Sequence, residues 1–234
     1  MHDQNFSGFP QGCFDFLEAL GRHNNREWFN DARERCEKQL YQPARLFVSV
    51  LGPRLRKIYP EIVFDPRTNG MGSMFRLARD TRFSRDKHPF KTNLGFRFWL
   101  SEKARRAGRI GFYVHLDKSG IRIYGGAHQL GPEDLAAFRG HVAQKRHAAA
   151  LRRILTRLEK AGCRLETERL TRVPRGYASD HVNADLLKFK NLFAVSPGLS
   201  VDIARKPSLV HECVAYAEVF RPLNQWFART LPML

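Results

Sequence analysis

Cysteine is scarce in this sequence: its 234 residues contain only four, at positions 13, 36, 163 and 213. They are widely spaced and form no C-x-x-C pair, the spacing typical of zinc ribbons and dithiol redox sites. In a chain of this length, that usage is typical of a cytoplasmic protein whose thiols stay reduced and mostly buried. We therefore expect a cytoplasmic location and no structural zinc.

Long apolar runs are missing as well. No stretch approaches the ~20 apolar residues needed to span a bilayer. The N-terminal MHDQNFSGFPQG lacks the apolar h-region of a signal peptide. The sequence therefore predicts no membrane insertion and no secretory signal.

The common nucleotide, metal and hydrolase motifs are absent. The chain contains no G-x-x-x-x-G-K-[ST], no strand-linked G-x-G-x-x-G, no H-x-x-x-H or H-E-x-x-H and no G-x-S-x-G. These patterns mark phosphate-binding loops, dinucleotide sites, zinc proteases and serine hydrolases. We expect no cofactor and no metal site.

Negative charge is sparse relative to positive charge. The chain has 40 Lys and Arg against 23 Asp and Glu, a net charge of +17, and twelve of the seventeen excess charges fall within residues 61–160. A field of this sign attracts nucleic acid, anionic membrane surface or phosphorylated small molecules. We expect an anionic partner, with nucleic acid as one alternative. A solvated arginine-rich surface is the competing explanation.

Apolar periodicity divides the chain into three regions. Residues 14–60 have apolar side chains at helical spacing and predict three helices. Residues 73–126 alternate with period two and predict an antiparallel meander of four or more strands (73–79, 91–100, 109–117 and 120–126). Residues 131–230 are predicted to be helical. The sequence thus predicts a single α+β domain over 1–234, with N-terminal and C-terminal helices packed on the sheet.

The predicted strands have two unequal faces, because alternate residues point to opposite sides of a sheet. The first face is apolar and should form the core; it collects Leu94, Phe96, Phe98, Leu100, Phe112, Val114, Leu116, Ile121 and Ile123. The second is basic and aromatic and shows no carboxylate in this interpretation; it collects Lys91, Asn93, Arg97, Trp99, Tyr113, His115, Arg122 and Tyr124. Such a face can stack bases or hold phosphates. An ordinary outer face, or one covered by the N-terminal helices, is the alternative.

The segment RDTRFSRDKHPFKTN, residues 79–93, is predicted to be a loop at the edge of this second face. Its arginines offer forked donors that match phosphate or carboxylate, and its lysines add point charges. Asp80 and Asp86 can hold those arginines, and Asp80 can also act as a base. The structural alternative is an Arg–Asp network that braces a loop whose Phe83 and Phe90 dock into the core.

The longer stretch FRLARDTRFSRDKHPFKTNLGFRF resembles the signature of a bacterial and fungal family known as domain of unknown function 2461. NNREWFNDARERC, GFYVHLD and VPRGYASDHVNADLLKFKN resemble further blocks of it. Phe90 stands where the family usually has Tyr. The match to the central signature covers Phe75, Arg76, Arg79, Asp80, Thr81, Arg82, Phe83, Ser84, Asp86, Lys87, Pro89, Lys91 and Thr92.

The resemblance makes five loop residues stronger candidates for a functional site than the other charged residues: Arg79, Asp80, Arg82, Lys87 and Lys91. It also implies that four residues from the other blocks join the same constellation: Arg26, Trp28, Arg175 and Lys188.

Three functional interpretations follow from these patterns. The first is a cytoplasmic protein that binds a phosphate-type or nucleic-acid-type ligand at the loop and the basic face. The second is an enzyme acting on a phosphorylated or carboxylated substrate, with Asp80 or His115 as the acid–base group. The third is a non-catalytic scaffold. The predicted ligand-binding residues are Arg76, Arg79, Arg82, Ser84, Lys87, Lys91, Arg97, Tyr113, Arg122 and Arg175.

Overall fold

The structure, a computed structural model, describes residues 6–67, 72–107 and 110–232. Helices precede and follow an antiparallel sheet, which confirms the predicted α+β class. The helices are α1 (Gln11–Arg22), α2 (Arg26–Asp31), α3 (Arg33–Cys36), α4 (Gln42–Arg56), α5 (Glu102–Ala107), α6 (Pro132–Ala143), α7 (Lys145–Lys160), α8 (Ala184–Leu187), α9 (Val201–Ala204) and α10 (Leu209–Thr230). No helix in this part of the chain is both long and apolar enough to cross a membrane.

The N-terminal helices follow from local signals in the sequence. Asn25 caps α2, because its side chain accepts a hydrogen bond from the Trp28 N–H at 2.9 Å. One turn of π-helix, Glu37–Tyr41, joins α3 directly to α4. The predicted three helices of 14–60 are therefore two separate helices, α1 and α2, followed by one longer helical run of three segments.

The sheet has five strands in the order β1-β2-β3-β5-β4. The strands are β1 (Asn93–Trp99), β2 (Ile110–Asp117), β3 (Gly120–Ala127), β4 (Arg164–Glu166) and β5 (Leu192–Val195). The first three form the predicted meander. The last two correct the prediction that 131–230 is helical throughout. Each has only three or four residues, which is too short for period-two alternation to distinguish a strand from a helix.

The segment 73–79, predicted to be the first strand of the meander, makes two isolated bridges instead of a continuous ladder. Met74 lies opposite Phe96 and Ala78 lies opposite Phe90. Regular antiparallel pairing from the first bridge would place Ala78 opposite Thr92, so the register slips by two residues between the bridges. The slip ends the regular pairing where the basic loop begins.

The two faces of the meander are as predicted, apart from Trp99, which alternation places on the second face but which is buried. Residues assigned to the apolar face are buried, apart from the half-buried Leu100. The opposite face is half-buried at Arg97, Tyr113, His115 and Arg122. One correction concerns its charge: the face does carry a carboxylate, Asp117, at the end of β2.

The described residues cluster into two compact units. The first comprises residues up to Phe98 with Tyr113–Ile123 and Gly198–Ala215. Its core contains an aromatic cluster with ring centroids 5.0 to 6.0 Å apart, made by Phe6, Phe9, Phe47 and Phe96. The second comprises Trp99–Phe112, Tyr124–Pro197 and residues from Tyr216 onward. Its core contains Phe138, Trp226 and Phe227. The single domain over 1–234 stays a prediction.

Candidate functional site

One side chain between α1 and α2 holds the end of the basic loop, residues 79–93. Asn24 donates from Nδ2 to the Phe90 carbonyl at 2.9 Å and accepts from the Phe90 N–H through Oδ1 at 3.0 Å. The Phe90 ring also stacks on Phe29 of α2, with centroids 4.0 Å apart. Because the Asn24 amide satisfies both polar groups of this half-buried backbone position, it binds the loop as a neighbouring strand would.

Asp86 connects two cationic or protonatable side chains of the loop. Its Oδ1 accepts from the His88 N–H at 3.0 Å and lies 2.6 Å from His88 Nδ1, while its Oδ2 pairs with the Arg79 guanidinium. The His88 N–H and then the Arg79 guanidinium lower the pKa of Asp86 far below its ordinary value. Asp86 is therefore a fixed anion that positions Arg79 and His88.

A cleft of about 670 Å³ opens between this loop and the end of α1, and we call it the loop cleft. Four of its lining residues carry chemistry of interest: Arg79, Asp86, His88 and Lys91. The full lining is Gly21, Asn24, Arg79, Asp86, His88, Phe90, Lys91, Thr92 and Asn93.

Lys91 is the cation of the cleft that has no counter-charge. Its ammonium nitrogen lies 5.4 Å from the centroid of the Phe75 ring, and within the described residues it makes no ion pair. Partial burial, and secondly the charge of Arg79, lower the pKa of Lys91. Both effects disfavour the charged ammonium, so an anion placed beside Lys91 would relieve them.

The tip of the loop is exposed and does not line the cleft. Asp80 forms a bidentate pair with Arg82, at 3.0 Å from Nε and 2.7 Å from Nη2, which lowers the pKa of Asp80. Lys87 donates to the Thr81 carbonyl at 3.1 Å. Phe83 is 95% exposed, so the structural alternative in which it docks into the core is wrong for this residue.

The open sheet face carries a continuous chain of hydrogen bonds. Asn93 Nδ2 lies 3.4 Å from His115 Nδ1, and His115 Nε2 lies 3.2 Å from Asp117 Oδ2. The same carboxylate oxygen accepts from Arg122 at 2.5 Å. With the imidazole proton on Nε2, every donor in this chain meets an acceptor. Burial, only partly opposed by Asp117, lowers the pKa of His115, so the neutral ring is favoured.

Aromatic and cationic side chains fill the rest of this face. The Arg97 guanidinium carbon lies 5.1 Å from the Phe75 centroid, on the ring that Lys91 also approaches. Tyr113 packs against Phe75 with centroids 5.9 Å apart. Gly95 leaves room for the tyrosine, since a Cβ there would lie 2.4 Å from its hydroxyl oxygen. Because Phe75 contacts both Lys91 and Arg97, the loop cleft and the sheet face are adjacent.

The structure places the predicted site residues in several parts of the protein. Arg79 and Lys91 meet in the cleft, whereas Arg97, Tyr113, His115 and Arg122 lie on the sheet face. Five more predicted residues lie outside the cleft lining: Arg76, which precedes the loop, and Asp80, Arg82, Ser84 and Lys87 within it. Arg175 is an exposed residue of the second unit, as is the half-buried Lys188, so their predicted place in the constellation stays a prediction. Arg26 and Trp28 begin α2 in the first unit.

Sequence reasoning missed four residues that shape the site. Asn24 is 66 residues from its partner, and no local pattern announces such a contact. Asn93 was placed on the face but not among the site residues. His88 lies within the predicted loop but is not among the predicted site residues. The position of Asp117 was predictable from the sequence, because it follows Tyr113 and His115 at intervals of two residues along β2 and therefore points to the same face.

The cysteines offer no nucleophile. All four are free and buried, and burial raises the pKa of each thiol, for Cys36 to about 12. A thiol becomes nucleophilic when its pKa is lowered, so these sites favour the inert form. Within the described residues, no three His, Cys, Asp or Glu side chains are grouped so as to hold a metal ion.

Comparison with known proteins bears on nearly the whole chain. A family model described as Conserved hypothetical protein (DUF2461) matches residues 12–226. The match includes the basic loop, the meander and most of both helical regions. Neither the comparison with curated proteins nor that with solved structures found a match.

Proposed function

We propose that this chain, which belongs to the DUF2461 family of conserved hypothetical proteins, binds a small phosphorylated molecule in the loop cleft. The observation that carries the proposal is Lys91, a partly buried cation that makes no ion pair with any described residue and lies in a cleft that also presents Arg79. A phosphate between the two would receive a point charge from the lysine and directed N–H donors from the guanidinium.

The size of the cleft favours a small molecule over a nucleic-acid strand. Its volume of about 670 Å³ falls in the size range of small-molecule sites. The walls add neutral hydrogen-bonding groups from Asn24, Thr92 and Asn93, and the adjacent Phe75 ring gives an apolar surface for the rest of the ligand. Phosphate would fix the ligand's orientation, and the wall groups would select among phosphorylated compounds.

The scaffold interpretation accounts for part of the loop. Arg79 and Arg82 both face carboxylates, Asp86 and Asp80 respectively, as expected for a structural Arg–Asp network. Lys91 is not part of that network, because neither of these two ion pairs includes it. For a purely structural loop, partial burial of the Lys91 ammonium beside another cation costs free energy, and the contact with the Phe75 ring offsets part of that cost.

A second candidate function, an enzyme, is favoured by the Asp86–His88 contact. Asp86 engages His88 Nδ1, so Nε2 is left to exchange a proton with a ligand in the cleft that His88 lines. The originally predicted acid–base groups have less access, because Asp80 is paired with Arg82 outside the cleft and both ring nitrogens of His115 are engaged. Lys91 and Arg79 would then stabilise charge that develops on the substrate.

Binding can be tested by calorimetric titration with inorganic phosphate, sugar phosphates and nucleoside monophosphates. We expect Lys91→Gln to weaken binding at least tenfold, equivalent to about 1.4 kcal/mol. The matched control is Lys57→Gln, an exposed lysine at the end of α4. If no phosphorylated compound binds, or if both variants bind as the wild type does, the proposal is wrong.

The enzyme alternative has a separate readout. With any ligand found in that screen, His88→Gln should abolish turnover and change affinity by less than threefold. If wild-type protein leaves every bound compound unchanged, the binding proposal stands and the enzyme is excluded for those compounds.

We also propose a cytoplasmic location, because four free and buried thiols fit a reducing compartment.

A further inference from the structure

The solvent-facing side of α7 carries a line of positive charge. Four exposed residues follow one another at spacings of seven, four and three along this helix: Arg146, Arg153, Arg157 and Lys160. At 100° per residue they fall within a strip about 60° wide. We call this set the basic stripe. With a rise of 1.5 Å per residue, it is about 21 Å long.

The opposite side of α7 is occupied by the core of the second unit. Ala148, Leu151 and Leu158 are buried, at 0 to 1% exposure. The apolar side of this amphipathic helix therefore packs inside the fold. For the same reason, the helix cannot insert that side into a bilayer, which is how basic amphipathic helices anchor to membranes.

The stripe residues differ from their neighbour Arg152 in having no carboxylate partner. Arg152 makes a bidentate pair with Asp185, at 2.7 Å from each nitrogen. Within the described residues, no ion pair involves a stripe residue. Like charges three and four residues apart on a helix repel one another. Among the residues that the structure describes, the stripe is therefore a set of cations without a carboxylate partner.

We propose that the basic stripe of α7 binds the phosphate backbone of duplex nucleic acid, independently of base sequence. The stripe is a line of cations free of aromatic side chains, so it offers charges to phosphates and nothing on which bases can stack. Its residues belong to the second unit and include none of the loop cleft. This site is therefore separate from the proposed phosphate-binding function.

The test is fluorescence anisotropy of the full chain with a labelled 20-base-pair DNA duplex across a salt series. Four neutralised phosphates predict a slope of log K against log salt of about −3.6, or roughly 100-fold weaker binding at 200 mM than at 50 mM salt. The variant Arg146→Gln, Arg153→Gln, Arg157→Gln, Lys160→Gln should bind at least tenfold more weakly at 50 mM and lose most of that slope.

Two controls separate the stripe from net charge and from misfolding. The first removes four exposed cations elsewhere and should change affinity by less than threefold: Lys38→Gln, Arg54→Gln, Lys57→Gln and Lys206→Gln. The second converts the three stripe arginines to lysine, which keeps the charge, and should retain wild-type affinity within threefold. Because glutamine is a good helix former, the stripe variant should keep the wild-type circular dichroism spectrum.

Three results would overturn the proposal. One is a wild-type protein that does not bind the duplex at 50 mM salt. Another is equal loss of affinity in the stripe variant and the scattered-charge control. The third is stripe-dependent binding to vesicles of 30% phosphatidylserine with no binding to the duplex, which would assign the stripe to an acidic membrane surface instead.

Discussion

The Asn24→Ala substitution tests how the basic loop is held. It removes two hydrogen bonds, of 2.9 and 3.0 Å, to the carbonyl and the N–H of half-buried Phe90. A hydrogen bond of this kind contributes about 1 kcal/mol, so we expect a loss of about 2 kcal/mol. Water can reach part of the site, which keeps the cost from rising to that of fully buried unsatisfied groups.

The measurement has a global and a local part. Urea unfolding, followed by tryptophan fluorescence, reports the free energy of unfolding, and amide hydrogen exchange at Phe90 reports opening of the loop. We expect faster Phe90 exchange together with weaker phosphate binding, because Asn24 and Phe90 both line the cleft. Asn30→Ala, which removes one exposed contact with Arg33, is the control. If Asn24→Ala stays within 0.5 kcal/mol (roughly the scatter of neutral surface changes) and Phe90 exchange is unchanged, the reasoning is refuted.

Two further predictions concern packing and pH. Gly125→Ala should destabilise the protein by about 1–3 kcal/mol, because the new Cβ would lie 2.6 Å from Cβ of buried Phe220. Gly140→Ala in α6 meets open space and should stabilise the protein by up to about 1 kcal/mol. Thermal unfolding compares the two variants, and equal melting temperatures would contradict the packing argument. Phosphate binding should be strongest where Lys91 is protonated and should fall as pH rises through its lowered pKa, below the range of an ordinary lysine. Titrations from pH 7 to 10 follow this loss, and Lys91→Gln should abolish it; an unchanged affinity over that range would exclude Lys91 as the binding cation.

The parts of the fold that the sequence predicts are those with a regular period. Along β1 and β2, successive side chains point to opposite faces of the sheet. Alternation therefore separates the buried residues Phe96, Phe112 and Val114 from the half-buried residues Arg97, Tyr113 and His115. The register slip between the Met74 and Ala78 bridges has no such signal, since it depends on how 73–79 packs as a whole. Strands β4 and β5 are too short for any period to appear.

The site was predictable as a segment but not as a set of contacts. Charge density and family resemblance both point to residues 79–93, and the expectation that Asp80 and Asp86 hold arginines is confirmed by their pairs with Arg82 and Arg79. The division of roles is not readable from the sequence. Lys87 and Lys91 look alike along the chain, yet one donates to a loop carbonyl and the other faces the cleft, because only tertiary packing decides which is enclosed.

The central claim is that the loop cleft holds an anion between Lys91 and Arg79. A crystal structure of the protein grown with inorganic phosphate tests it most directly. We predict phosphate in the cleft, within hydrogen-bonding distance of Lys91 Nζ and of the Arg79 guanidinium, with Asp86 still paired to Arg79. An empty cleft, with Lys91 Nζ turned onto Asp86 and phosphate bound only elsewhere, would contradict the account.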